Sequence, residues 1–351
     1  MTTRRKLTIH VLALTCGVIA SLVCVGASRG QLPEIRYGTE VPPEVKLMYE
    51  RGLEFLVRTQ QEDGSWAGGQ QGGAVTGMCL MVLLASGEDP NFGKHKIEVQ
   101  RAVRNLIQIQ DARTGYIPNS MYHHGFAMLA LAEAYGAVDD TLLWEGGGAR
   151  QRSIGEALEL AVRCAITAQK NNQFGAWRYS PTTTDADTSV SGAVLVGLLA
   201  ARNAGIEIPD ENMDKALAYF QSMTSDSGSV GYSGGPSGGT SMNRSAIAAL
   251  VFAIGKRKEW PQFRATSKML AANLSHQEGG YAQYFRYYMA QALFQSDFEA
   301  WTKWKRENAA QLRNQQQEDG SFAANYGPAF GTSMTLLSLA LDYRLLPIYE
   351  R

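Results

Sequence analysis

The chain has 351 residues, 45% apolar and 19% charged, a globular composition that excludes disorder as its ground state. Its 33 basic and 33 acidic residues balance, which excludes the basic surface that nucleic acid or an anionic membrane would require. Four cysteines are too few for a disulfide scaffold.

The first predicted element is an export signal. Arg4, Arg5 and Lys6 precede an apolar stretch over residues 7–27, and Val25-Gly26-Ala27 offers a small-residue cleavage site. Removal of residues 1–27 leaves 30 basic against 33 acidic residues, a net charge near −3. The expected localisation is periplasmic or secreted, with an uncleaved N-terminal anchor as the alternative and no other membrane span. Residues 28–42 read as a linker and residues 43–351 as one domain. Cys79 and Cys164, in apolar surroundings, read as buried thiols.

From Pro43 an amphipathic helix carries Val45, Met48, Tyr49, Leu53 and Leu56 on one face and ends at the turn Gln60-Gln61-Glu62-Asp63-Gly64-Ser65-Trp66. Residues 75–85, VTGMCLMVLLA, then form a helix apolar all round, which must be surrounded. The same pair returns five times. Amphipathic stretches at 97–110, 154–165, 213–223, 263–274 and 304–317 each reach a Gly-aromatic turn, and apolar runs follow from Gly125, Ser191, Ser245, Tyr287 and Thr332. The turn aromatics Trp66, Tyr116, Trp177, Tyr232, Tyr281 and Phe322 are spaced by 50, 61, 55, 49 and 41 residues, a helical-repeat period. Six amphipathic and six apolar helices predict an all-α fold, an α/α toroid: a double-layered α6/α6 barrel of six helix-pair repeats with the apolar set inside. An open superhelix is the alternative.

The turns at 60–66 and 315–322 also resemble the repeat of the squalene cyclase and protein prenyltransferase superfamily, over a region from about Val45 to the C-terminus. That resemblance implies the α/α toroid fold. Asp185-Ala186-Asp187-Thr188-Ser189 is similar to the Asp-x-Asp-Asp-Thr-Ala motif of class II terpene cyclases, in which an Asp, assisted by a neighbouring acid and a His, protonates a polyene. One acid of that motif is missing here. The Asp-x-Cys of a prenyltransferase zinc site, the Gly-Cys-Gly-Glu-Gln of the thioester proteins, a phosphate loop, a nucleophile elbow and a dinucleotide fingerprint are all absent, so neither metal nor cofactor is expected.

Parallel inner helices gather their N-termini, with unpaired N–H groups and positive dipole, at one mouth. The pairs Val75-Thr76, Asp187-Thr188, Gly239-Thr240 and Gly331-Thr332 align at that level, where Thr, Ser or Asp can serve as an N-cap. Other polar residues there differ between repeats. Asp185, Asp187 and His124 are the candidate catalytic residues, with His124 and Asp187 as an acid–base pair. His123, Arg244, Arg286, Tyr287, Tyr288 and Trp177 are candidate substrate-binding residues, with Arg244 as an anion clamp.

Two functions fit. The first is an exported terpenoid-cyclase- or prenyltransferase-like protein with acid–base chemistry on a hydrophobic or isoprenoid ligand, or, as a variant, a polysaccharide-lyase-like enzyme. The second is a non-catalytic binding or scaffold protein. Acids facing an aromatic cavity favour the terpenoid, a shallow basic groove favours a saccharide, and a filled barrel favours the scaffold.

Overall fold

The computed structural model describes residues 41–67, 72–144, 151–237, 241–343 and 346–349. The expected export signal and nearly all of the expected linker lie outside them. Twelve helices build the wall. The outer ones are α1 (Pro43–Thr59), α3 (Lys96–Ile109), α5 (Ile154–Lys170), α7 (Asp210–Met223), α9 (Pro261–Ala271) and α11 (Phe298–Arg313). The inner ones are α2 (Gly73–Leu84), α4 (Met121–Ala134), α6 (Thr188–Asn203), α8 (Met242–Ile254), α10 (Ala282–Ser296) and α12 (Pro328–Leu339).

The layering follows from the sequence pattern. In α2 every residue from Gly73 to Leu83 is buried, whereas α1 buries only the face carrying Val45, Met48, Tyr49, Leu53, Phe55 and Leu56. Each inner helix packs on the next, α2 on α4, then α6, α8, α10 and α12, and α12 returns to α2. The ring is therefore closed, as the α/α toroid reading expects and the open superhelix does not. Cys79 and Cys164 are free, buried thiols.

Four glutamines tie the repeats together. Gln60 Nε2 donates to Gly64 O (3.1 Å) in its own turn and to Glu98 O (2.9 Å) on α3. Gln110 does the same for Gly115 and Ala157, Gln169 for Gly175 and Asn212, and Gln316 for Gly320 and Met48. Each amide satisfies two main-chain carbonyls at once. The Gln316 bond to Met48 (2.9 Å) joins the last repeat to the first. Glycine is required at φ +85° in Gly64 and +90° in Gly320, where any Cβ would meet the Arg101 or Arg51 carbonyl oxygen at 2.1 or 2.3 Å.

At the C-terminal ends of the inner helices, the last segment of the chain crosses the barrel. The turn Ala340–Asp342 packs on α10 and the turn Pro347–Tyr349 on α6, with Leu346 and Ile348 buried. The opposite end, where the inner helices begin, is the one lined by polar side chains. Among the described residues no helix is long and apolar enough to cross a membrane.

Candidate functional site at the N-terminal mouth

Every inner helix begins two to five residues earlier than its apolar run, and this changes the register of the mouth. Asp187 is the N-cap of α6, its Oδ1 accepting from Val190 N at 2.8 Å. Thr188 is the first residue of α6, but Thr76 and Thr332 lie about one turn inside α2 and α12, so the expected alignment of Asp187 with Val75 and Gly331 does not hold. Thr240 is outside the described residues.

The residues that do match across repeats stand one turn in. Ser191 Oγ accepts from Trp177 N (2.9 Å) and donates to Trp177 O (2.9 Å). Thr332 Oγ1 accepts from Phe322 N (2.9 Å), and Ser245 Oγ donates to Gly228 O (3.0 Å). In α4 this position is His124, whose Nδ1 accepts from Ile117 N (3.2 Å) while Nε2 lies 3.0 Å from Ala161 O. Both nitrogens are taken by main-chain groups, which fixes a neutral ring with the proton on Nε2. Burial lowers its pKa to about 4. His124 thus pins α4 to the outer layer and has no nitrogen left for exchange with Asp187. His123 is buried next to it, with Nδ1 3.3 Å from Ala74 N at the start of α2, and burial lowers its pKa as well.

Around Asp187 a charged cluster does assemble. The loop between Trp177 and Asp187 is held by Asp187 N donating to Trp177 O (3.1 Å) and by Asn172 Nδ2 donating to Asp185 O (2.7 Å). Arg178, which the sequence reading overlooked, forms an ion pair with Asp185 Oδ2, and its Nε lies 3.8 Å from Asp187 Oδ2. Its guanidinium also sits 5.8 Å from the Tyr179 ring centre and 5.7 Å from that of Tyr232, and the Arg244 guanidinium lies 6.0 Å from the same Tyr232 ring centre. Such cation–π contacts hold both cations over aromatic faces. Arg244 Nε donates to Val230 O at 2.9 Å.

Asp187 has no side-chain exposure, whereas Asp185 keeps 48%. Asp187 Oδ2 accepts no hydrogen bond, and burial, opposed by the Val190 N–H and the Arg178 charge, raises its pKa to about 6. Tyr219, buried on α7 with its hydroxyl unpartnered, has its pKa raised by burial and then by the charges of Asp187 and Asp185.

Tyrosines ring the mouth. Tyr179 and Tyr281 are half-exposed, the hydroxyls of Tyr179 and Tyr232 are 2.8 Å apart, and Tyr281 stacks on Tyr326 at 6.1 Å and 24°. Below them the barrel is filled. Tyr284, Tyr287 and Tyr288 form T-shaped contacts at 4.8 and 4.9 Å, and Tyr122 and Phe126 pack on Tyr284 and Tyr287 at 6.0 Å each. Tyr287 and Tyr288 are thus buried packing residues beneath the mouth. Trp177 is buried too, its indole N–H donating to Ala165 O (2.8 Å) as that of Trp66 does to Leu56 O. Arg286 turns away from Asp187 toward α11. Among the described residues no group of three His, Cys, Asp or Glu side chains converges on a metal site.

No protein-family model and no curated protein matches the sequence. Solved structures do match. One is an alpha-1,6-mannanase, GH76A of Salegentibacter sp. HEL1_6, in a variant inactivated by changing two adjacent aspartates to asparagine and bound to alpha-1,6-mannotriose. Its TM-score is 0.63 at 9% identity, covering 86% of this chain and 99% of that one. Another is the type II terpene cyclase MstE from Scytonema with geranylgeranyl dihydroxybenzoate, at TM-score 0.60 and 14% identity, covering 86% and 98%. A protein from Actinoplanes aligns at 0.56 and 13% identity, covering 85% and 99%. The chain shares with them the α/α toroid fold. At these identities the likeness carries the fold alone.

Proposed function

We propose that the N-terminal mouth is a binding site for a saccharide, which lies across the tyrosine ring and is gripped at its hydroxyls by Arg178, Asp185 and Arg244. The observation that carries this reading is the placement of the half-exposed rings of Tyr179 and Tyr281, with the partly buried Tyr326 stacked on Tyr281, above a barrel already packed with Tyr284, Tyr287 and Tyr288. Flat amphipathic rings offer the apolar face of a sugar a platform, and charged groups at their edges supply directional hydrogen bonds. An isoprenoid chain would need an apolar chamber where these buried rings stand. The mannanase neighbour, whose ligand is an oligosaccharide, is consistent with the reading.

Alpha-1,6-mannotriose is the first probe. Titration followed by calorimetry should show binding to the described fold, and Tyr281→Ala should weaken it about tenfold, ~1.4 kcal/mol, with melting temperature unchanged because that ring is half-exposed. Absence of binding by any oligosaccharide in a panel, or tighter binding of geranylgeranyl compounds, overturns the reading.

A second reading rests on one observation, the unpartnered Oδ2 of Asp187 beside Arg178. With a pKa of about 6 this carboxyl has the poise of a general acid, and Asp185 would be the second carboxylate of a glycoside-cleaving pair. Release of reducing ends by the wild type and not by Asp187→Asn tests it; equal release by both rejects it.

A further inference from the structure

In α4, α6, α8 and α12 the polar residue one turn into the helix bonds the main chain of the preceding turn or its neighbour. In α10 that level holds Arg286, and the arrangement differs. Tyr281, the aromatic of the preceding turn, is half-exposed and stacked on Tyr326 at the mouth, whereas Trp66, Trp177 and Phe322 are buried against their own repeats. A cavity of about 120 Å³ lies between α10, α11 and the segment leading into α10, lined by Leu274, His276, Phe285, Arg286, Trp304 and Asn308 among others.

Arg286 is only 9% exposed. Its Nη1 donates to Asn308 Oδ1 and its Nη2 to Gln311 Oε1 (3.1 Å), both neutral oxygens, and among the described residues no carboxylate pairs with it. Burying a cation without a counter-charge is costly, and an anion seated beside it offsets that cost. Asn308 adds a second donor: it is 3% exposed, and with Oδ1 turned to Arg286 its Nδ2 has no partner. A guanidinium edge and an amide N–H side by side present two donors to the two oxygens of one carboxylate.

The wall limits the charge of the ligand. Glu278 and Glu307 also line the cavity; Glu278 lies 3.5 Å from His276, and Glu307 is exposed at the rim. Two carboxylates in the wall favour a singly charged guest over a doubly charged one. We infer that the Arg286–Asn308 cavity is a binding site for a small monocarboxylate, of the size of acetate to glycerate, separate from the saccharide mouth.

The test is thermal unfolding at pH 7 and constant ionic strength, with acetate or glycerate replacing chloride. The wild type should gain about 2 °C or more in a saturating curve, as expected when a ligand binds only the folded state. Arg286→Met should remove the gain. Asn308→Asp places a built-in carboxylate against Arg286, so it should melt higher than wild type and no longer respond to acetate. The inference is overturned if acetate gives no shift beyond chloride, if Arg286→Met or Asn308→Asp keeps the full shift, or if phosphate matches acetate. Should Arg286→Met fail to fold, Asn308→Asp alone decides.

Discussion

Asp187 shows how one residue can cap a helix and yet weaken the fold when ionised. Its carboxyl keeps the α6 N-terminus through Val190 N, but burial pushes its pKa up to about 6, above the ordinary aspartate value of 3.8. A raised acid binds more protons folded than unfolded, so the stability it contributes is complete below pH ~3.8 and is lost as pH rises through ~6. The gap corresponds to about 3 kcal/mol at neutral pH. His124 works in the opposite sense: its pKa of about 4 lies below 6.5, so its contribution is present above pH ~6.5 and lost on acidification. In the wild type the two slopes oppose each other between about pH 4 and 6. Asp187→Asn keeps the cap and removes the buried charge, so urea denaturation should find it more stable than wild type at pH 7.5, by up to ~3 kcal/mol, and close to wild type at pH 3.5. A constant difference across that range would mean that the carboxyl is not desolvated as the structure places it.

At the scale of the element, the turns and the apolar runs were readable while the helix starts were not. Trp66, Trp177 and Phe322 announce turns because an aromatic close after glycine recurs every 41 to 61 residues, and burial of these three rings accounts for their aromatic character. The first turn of each inner helix is different. In α4, α6, α8 and α10 it holds Ser, His, Asn or Arg, so hydrophobic periodicity begins a turn late there and hides the register. That is why His124 and Arg286 resembled mouth residues, and why Arg178, in an irregular loop with no periodic signal, was missed. The glutamine clamps were missed because a Gln in a turn has no hydropathy signature. Close approach of the inner helices is also invisible to hydropathy. A Cβ on Gly125 of α4 would lie 2.6 Å from Ala193 C and 2.7 Å from Val194 N on α6, main-chain atoms that cannot swing aside. Gly125→Ala should therefore separate α4 from α6 and cost about 2 kcal/mol or more, seen as a fall of several degrees in melting temperature. Gly279→Ala, with nothing within 4 Å of its Cβ, is the control and should be silent.

For the whole molecule the decisive property is closure. An open array of repeats frays from its ends, because the terminal units contact a neighbour on one side only. Here α12 packs on α2 and α11 on α1, and the seam is fastened by Gln316 on Met48 O, by Arg51 on the carbonyls of Gln317 and Glu318 (2.9 and 3.1 Å), and by Arg58 on Asp319 O (3.0 Å). Gln169 makes the same pair of bonds in the middle of the chain. Removing either amide leaves two carbonyls short of a donor, so Gln316→Ala and Gln169→Ala should each cost about 2 kcal/mol in global stability. Their local effects should diverge. With the seam loosened, α1, α11 and α12 regain free ends, and hydrogen exchange in those helices should accelerate more than in α5 to α8. Gln169→Ala, flanked on both sides by intact repeats, should raise exchange around α5 and α7 and leave α1 and α12 protected. If Gln316→Ala leaves the amides of α1 and α12 as protected as those of α6, the Gln316 bonds do not hold the ring closed, and closure rests on the Arg51 and Arg58 contacts and on helix packing across the seam.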